Sequence, residues 1–177
     1  MEVIETAIEG LFVIDPKVFG DERGYFFESY NKLDFEKNGI STTFVQDNQS
    51  KSAKGIVRGL HLQQEPYEQV KLISVASGSI LDVAVDVRVG SKTYGKYYPQ
   101  ILSEENKKMF YIPAGFAHGF LSLEDNTIVQ YKCSNVYSKE HELGIMWNDK
   151  DINIDWGIDY EPIISDKDKQ NMDFKSF

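Results

Sequence analysis

Cysteine occurs once in this 177-residue chain, at Cys133, which rules out an intrachain disulfide and a Cys-x-x-Cys metal site. Histidine is scarce as well, with His61, His118 and His141 the only three. No run of roughly 18 apolar residues exists, so no membrane-spanning helix is expected. The opening residues, Met1-Glu2-Val3-Ile4-Glu5, lack the basic stretch and apolar run of a secretory leader. Together with the lone cysteine they predict a cytoplasmic protein. Basic charge is also short: 19 Lys and Arg stand against 28 Asp and Glu, a net −9 that argues against non-specific nucleic-acid binding. No G-x-G-x-x-G motif follows a strand, which argues against a nicotinamide enzyme. With no internal repeat and no Pro/Ser linker, residues 1–177 are expected to form one domain.

What is abundant is aromatic. The 13% aromatic share rests on 11 Phe and 10 Tyr, with only 2 Trp, and leans towards β-structure. Leu81, Val83, Val85 and Val87 alternate with Asp82, Ala84, Asp86 and Arg88, a period of two with one apolar and one polar face. Lys71–Ala76 precedes it across Ser77-Gly78-Ser79, which predicts a hairpin. Further strands are expected over Gly24–Tyr30, Thr43–Asn48, Met109–Ile112, Gly119–Leu123 and Ile128–Ser134. Helix signals are few: Asn31 can cap a short helix ending near Gly39, and Ser165 another near the C-terminus. Many short strands with a few short helices predict an all-β jelly-roll barrel, in which inward polar residues can line a cavity.

Two segments carry the chemistry. Gly55-Ile56-Val57-Arg58-Gly59-Leu60-His61-Leu62-Gln63 is the first. Ile112-Pro113-Ala114-Gly115-Phe116-Ala117-His118-Gly119-Phe120 is the second, and its P-x-G-x-x-H resembles the second motif of the cupin superfamily. Metal-binding cupins carry H-x-H in their first motif, whereas this chain reads His61-Leu62-Gln63. One ligand is missing, so an ordinary cupin metal site is not expected, and the histidines are free for acid–base work.

The resemblance then becomes specific. Asp21-Glu22-Arg23-Gly24-Tyr25-Phe26-Phe27-Glu28, Phe44-Val45-Gln46-Asp47-Asn48, Arg58-Gly59-Leu60-His61, Asp82 to Arg88, Pro113 to Phe120, Tyr131-Lys132, Gly144-Ile145-Met146-Trp147 and Ser165-Asp166-Lys167-Asp168 follow in order. In this order the blocks resemble the dTDP-4-dehydrorhamnose 3,5-epimerase family, from Phe19 to about Asp168. The chain departs from the family pattern at Val70, where glycine commonly precedes the lysine, and at Trp156-Gly157, where Trp-Pro is usual.

The resemblance implies a cofactor-free epimerase with a cupin fold. His61 would be the base, Asp168 its carboxylate partner, Lys71 the cation beside the C4 oxygen, and Tyr131 the acid on the other ring face. Arg23 and Arg58 match diphosphate and nucleotide contacts, suited to a planar guanidinium. Glu28, Gln46, Asp47 and Asn48 match base- and sugar-reading groups. His118, Glu142 and Lys167 match further substrate contacts, and Tyr137 a ring stacked on thymine. A homodimer is implied, with Arg23 and Glu28 reaching the partner's site.

Plainer roles exist for the same residues. His61 or His118 alone could be hydrogen-bonded structural histidines, and Tyr131 shares a strand face with Val129 and Cys133 and competes with Tyr137 for the acid role. Asp168 lies in a charged run typical of a solvated surface. Arg23 could simply pair with Asp21 or Glu22. The competing activities on this scaffold are a mono-epimerase or 3,4-ketoisomerase of a related dTDP-4-keto-6-deoxy sugar, and a non-catalytic cupin binding module.

Overall fold

The computed structural model describes all residues from Met1 to Phe177. Fourteen short strands dominate it. In chain order they are β1 (Glu2–Glu5), β2 (Phe12–Asp15), β3 (Phe19–Asp21), β4 (Gly24–Phe26), β5 (Gln46–Ser52), β6 (Ile56–Gln63) and β7 (Lys71–Ser77). Then follow β8 (Ser79–Asp86), β9 (Tyr97–Ser103), β10 (Met109–Ile112), β11 (Phe116–Ser122), β12 (Thr127–Cys133), β13 (Glu142–Gly144) and β14 (Ile163–Ile164). One α-helix, α1 (Lys32–Lys37), interrupts them.

The strands build the expected jelly-roll from two sheets. One runs β1-β2-β10-β7-β12-β5, the other β13-β6-β11-β8-β9, with β14 added in parallel beside β6. A separate ribbon, β3-β4, stands off both sheets. Ile73, Val75 and Val129 of the first sheet meet Ile80, Ala84, Phe116 and Phe120 of the second in a buried inter-sheet core. Each buried Val, Ile or Phe side chain contributes about 1.5–3 kcal/mol.

Both sheets are also covered outside. Val57, Val83, Val85 and Leu121 pack under Ile145, Ile152 and Trp156 of the C-terminal segment. Leu72, Met109 and Tyr111 pack under Phe35 and Ile40 of the α1 region. Hence β8 is buried on both faces although its sequence alternates. The polar residues Asp82 and Asp86 lie on the opposite face from Val83 and Val85, and both are fully buried.

The hairpin expected at Ser77-Gly78-Ser79 does not form. β7 pairs with β10 and β12, while β8 pairs with β9 and β11, so the chain changes sheets at Gly78. A left-handed φ of +75° at this glycine makes the crossing. The alternation of β8 could not reveal this, because a turn to a neighbour strand and a corner between sheets use the same residues.

Several strand boundaries differ from the expectation, β11 starting three residues earlier at Phe116. β4 stops at Phe26 because the chain turns into α1, where Tyr30 packs edge-on against Phe35 (5.0 Å) and Phe44 (5.3 Å). β5 starts at Gln46 and continues to Ser52. Asn31 caps α1 as expected, its side chain accepting the Leu33 N–H at 3.1 Å. In place of a longer helix there is a 3-10 turn over Asp168–Gln170, whose N-cap is Lys167; Ser165, just before it, accepts the Asp168 N–H at 3.1 Å.

Candidate active site

The two sequence segments that carried the chemistry become neighbouring strands. β6 and β11 pair antiparallel with His61 opposite His118, so both imidazoles share the inner face. The glycine in each motif serves this approach. A Cβ on Gly59 would come within 2.6 Å of both Gly119 Cα and the His118 carbonyl, and Gly59 has φ +118°. Leu60 and Leu62 point to the outer core, leaving His61 on the cavity side.

His61 Nε2 lies 2.6 Å from Asp168 Oδ1, across 107 residues of sequence. The second Asp168 oxygen accepts the Gly59 N–H at 3.3 Å. Burial alone would raise the Asp168 carboxyl, but the His61 hydrogen bond and charge, helped by Gly59 and Ser165, hold it below the usual carboxylate range. An ionised carboxylate accepts the Nε2 proton, which leaves Nδ1 of His61 as the free basic nitrogen.

A cavity of about 520 Å³ contains His61, Lys71, His118, Tyr131 and Asp168 together. Lys71 is buried at the start of β7, and its ammonium reaches the His61 carbonyl at 3.4 Å. Burial pushes the Lys71 ammonium down, against the pull of Cys133, Asp82 and Glu142. Tyr131 stands on β12, part of the opposite sheet, and burial raises its phenol. Candidate base and candidate acid thus face each other across the inter-sheet space.

A second histidine–carboxylate pair lies beside the first. His118 Nε2 is 2.6 Å from Asp82 Oδ1, and Asp82 is 0% exposed with its Oδ2 unpartnered. Burial lowers the His118 imidazole, while Asp82 opposes that shift. At the mouth, Glu142 accepts from the Tyr137 hydroxyl at 2.6 Å and from Lys167 Nζ at 2.5 Å. The Glu142 bond raises the Tyr137 phenol. Burial would raise Glu142, but Lys167 and Tyr137 outweigh it and hold the carboxyl low.

Cations outnumber carboxylates in this lining: Arg58, Lys71 and Lys167 stand against Glu142 and Asp168. With Asp82 behind His118 the formal charges balance, so the cavity does not share the −9 of the chain. An anionic ligand would be attracted locally, not by the overall field. The lining offers no three-histidine donor set. Both imidazoles commit Nε2 to a carboxylate, and Gln63 turns its amide to backbone groups.

Strand alternation sorts the Gln46-Asp47-Asn48 run. Gln46 and Asn48 line a hollow of about 290 Å³ that shares His61, Lys71, Tyr131, Tyr137 and Glu142 with the main cavity. Asp47 points to the other face, where it pairs with Lys132 at 3.0 Å, so it does not join the cavity. Arg23 is paired with Asp21 on the β3-β4 ribbon, and Glu28 accepts from Asn31 at 3.2 Å. Neither is part of its own chain's cavity. Asp82 belongs to the candidate site but was read from sequence only as part of a strand's polar face. Nothing in the chain order links it to His118.

A two-sheet jelly-roll with an oriented imidazole, a buried ammonium and an opposed phenol in one cavity defines an acid–base enzyme of the cupin type. Comparison makes the class particular. The model of the dTDP-4-dehydrorhamnose 3,5-epimerase family matches residues 5–176, and the chain belongs to that family.

The enzyme of that name from Shigella flexneri is 51% identical over 175 residues, covering 98% of this chain and 96% of its own. The one from Methanothermobacter thermautotrophicus is 50% identical over 168 residues, covering 94% and 90%. A Legionella pneumophila 3,5-epimerase crystallised with dTDP-4-keto-L-rhamnose superposes with a TM-score of 0.95 at 44% identity, covering 98% of this chain and 93% of its own.

Proposed function

We propose that this chain inverts C3 and C5 of dTDP-4-dehydro-6-deoxy-D-glucose to give dTDP-4-dehydro-L-rhamnose, a step of dTDP-L-rhamnose biosynthesis. The observation that carries this reading is the His61–Asp168 pair at 2.6 Å, facing Tyr131 and Lys71 in one cavity of a chain half identical to named 3,5-epimerases.

The hydrogen beside a ketone is acidic because its electron pair can spread onto the carbonyl oxygen. His61 Nδ1 takes that proton, and Asp168 stabilises the imidazolium formed, a contribution typically of about 10²–10⁴-fold. Lys71 faces the C4 oxygen and stabilises the enolate charge. Tyr131 returns a proton from the opposite ring face, which inverts the carbon. Its hydroxyl is better suited than that of Tyr137, which is already donated to Glu142.

Arg58 and Lys167 hold the diphosphate end, and the half-exposed ring of Tyr137 covers the base. His118, Glu142, Gln46 and Asn48 contact the sugar. A homodimer fits the exposed ribbon, where Phe19, Tyr25 and Phe26 are each more than half exposed, an apolar surface a partner would cover. Arg23 and Glu28, and with them Asp47, would then serve across that interface. No helix is long and apolar enough to cross a membrane, and the buried free thiol of Cys133 suits the reducing cytoplasm, the proposed location.

A 3'-monoepimerase from Streptomyces bikiniensis has the same fold, with a TM-score of 0.90 at 32% identity. Turnover in heavy water separates the two reactions. Deuterium at both C3 and C5 of the product, read by NMR, is the expected result; deuterium at C3 alone would reject the double inversion.

A further inference from the structure

Gln63 stands two residues after His61, where metal-binding cupins place their second histidine, and the proposed reaction gives it no task. It is 6% exposed, and its amide makes three hydrogen bonds. Nε2 donates to the Tyr67 carbonyl at 2.6 Å and to the Val136 carbonyl at 3.1 Å. Oε1 accepts the Ser138 N–H at 2.6 Å. Two of these partners, Val136 and Ser138, flank Tyr137 directly.

The rest of the loop is stitched in the same way. The Tyr137 N–H donates to Gln46 Oε1 at 3.0 Å, and Gln69 donates to the Asn135 carbonyl at 2.8 Å. Asn135 in turn donates to the Pro66 carbonyl at 3.0 Å. β12 has ended at Cys133, so side-chain amides take over where the sheet ladder stops.

We infer that Gln63 is a positioning residue, setting where the Tyr137 ring stands over the cavity and thereby the affinity for the nucleotide end of the substrate. This rests on the proposed role of Tyr137 at the base. Only a neutral amide fits the position. A glutamate would set a carboxylate oxygen against the Tyr67 and Val136 carbonyls, and a methionine would leave three backbone groups without their partner.

The test is a double-mutant cycle on the full-length protein, using Gln63→Met, Tyr137→Ala and both together. Calorimetry with dTDP and steady-state kinetics with the nucleotide sugar supply the readouts. Gln63→Met is expected to weaken dTDP and raise KM by about ten-fold while kcat stays within about two-fold. In the Tyr137→Ala background the same change should cost almost nothing more. Gln63→Glu, which keeps the Ser138 acceptor and repels the two carbonyls, should weaken dTDP in the same direction.

Amide hydrogen exchange at Ser138 in the ligand-free protein checks independently that Gln63→Met frees the loop without unfolding the chain. Full additivity of the two substitutions would overturn the inference, as would a fall in kcat at unchanged KM. Unaltered dTDP affinity with a freed Ser138 amide would overturn it too. Coupled loss of dTDP affinity in an enzyme that turns over no keto sugar would leave the inference standing and sink the proposed reaction instead.

Discussion

His61 and His118 face each other across the β6–β11 ladder, and each is bound through Nε2 to its own carboxylate at 2.6 Å. The two pairs differ in surroundings. The His61 side chain keeps 26% of its surface accessible, whereas that of His118 keeps 9%. A base must reach substrate carbon, so the more open imidazole suits proton abstraction. His61→Asn should reduce turnover by at least about 10³-fold while dTDP still binds, as measured by rate assay and calorimetry.

Asp168 fixes which nitrogen of His61 is free. Asp168→Asn can donate an amide hydrogen to Nε2 and favour the tautomer protonated at Nδ1, which abolishes the base. A fall in kcat of about 10²–10⁴-fold with little change in KM is expected from steady-state kinetics.

The proposed base and acid, His61 and Tyr131, stand on different sheets, so removal and return of the proton can be tested separately. Tyr131→Phe should keep wash-in of solvent deuterium at C3 or C5 without inversion, because the base side is intact. NMR of the recovered substrate reads this. Loss of all exchange would show that Tyr131 is required for deprotonation as well.

Asp82 holds His118 towards its charged form against burial. Replacing it by Asn removes that carboxylate charge, so the His118 imidazole should titrate at lower pH, followed by NMR in ligand-free protein. An unchanged titration would show that the pair is not electrostatically coupled.

The acid limb of stability follows from Asp86, Asp149 and Asp168, all held below the ordinary carboxylate range. Burial opposes the shift at each. Arg88, Ser91 and Thr93 overcome it at Asp86, backbone N–H groups led by Phe174 at Asp149, and His61 at Asp168. Because the unfolded chain takes up protons near the usual value of about 3.9, their contribution is complete above that pH. It is lost as pH falls through the lower folded values. Asp86→Asn should destabilise the protein at neutral pH by about 1.5–3 kcal/mol, since it removes the charged acceptor bonded by Arg88, Ser91 and Thr93, and should flatten the decline below pH ~4 in denaturant titrations.

Chain order alone determined the two motifs, the many short strands and the scarcity of histidine that left His61 and His118 as the candidates. Alternation along β8 was legible too, as was the shared face of Val129, Tyr131 and Cys133 on β12, because a strand repeats every two residues whatever it packs against. The same period could not say which sheet a strand joins, so Gly78 was read as a hairpin turn and is a crossing between sheets. It sets Asp47 on the face opposite Gln46 and Asn48 but could not say which of the two faces lines the cavity. Only the folded arrangement brought Asp168 to His61 across 107 residues, seated Asp82 beneath His118, and gave the Gln63 amide its loop to hold. Contacts between strands distant in the chain depend on sheet order and packing, which local pattern does not encode.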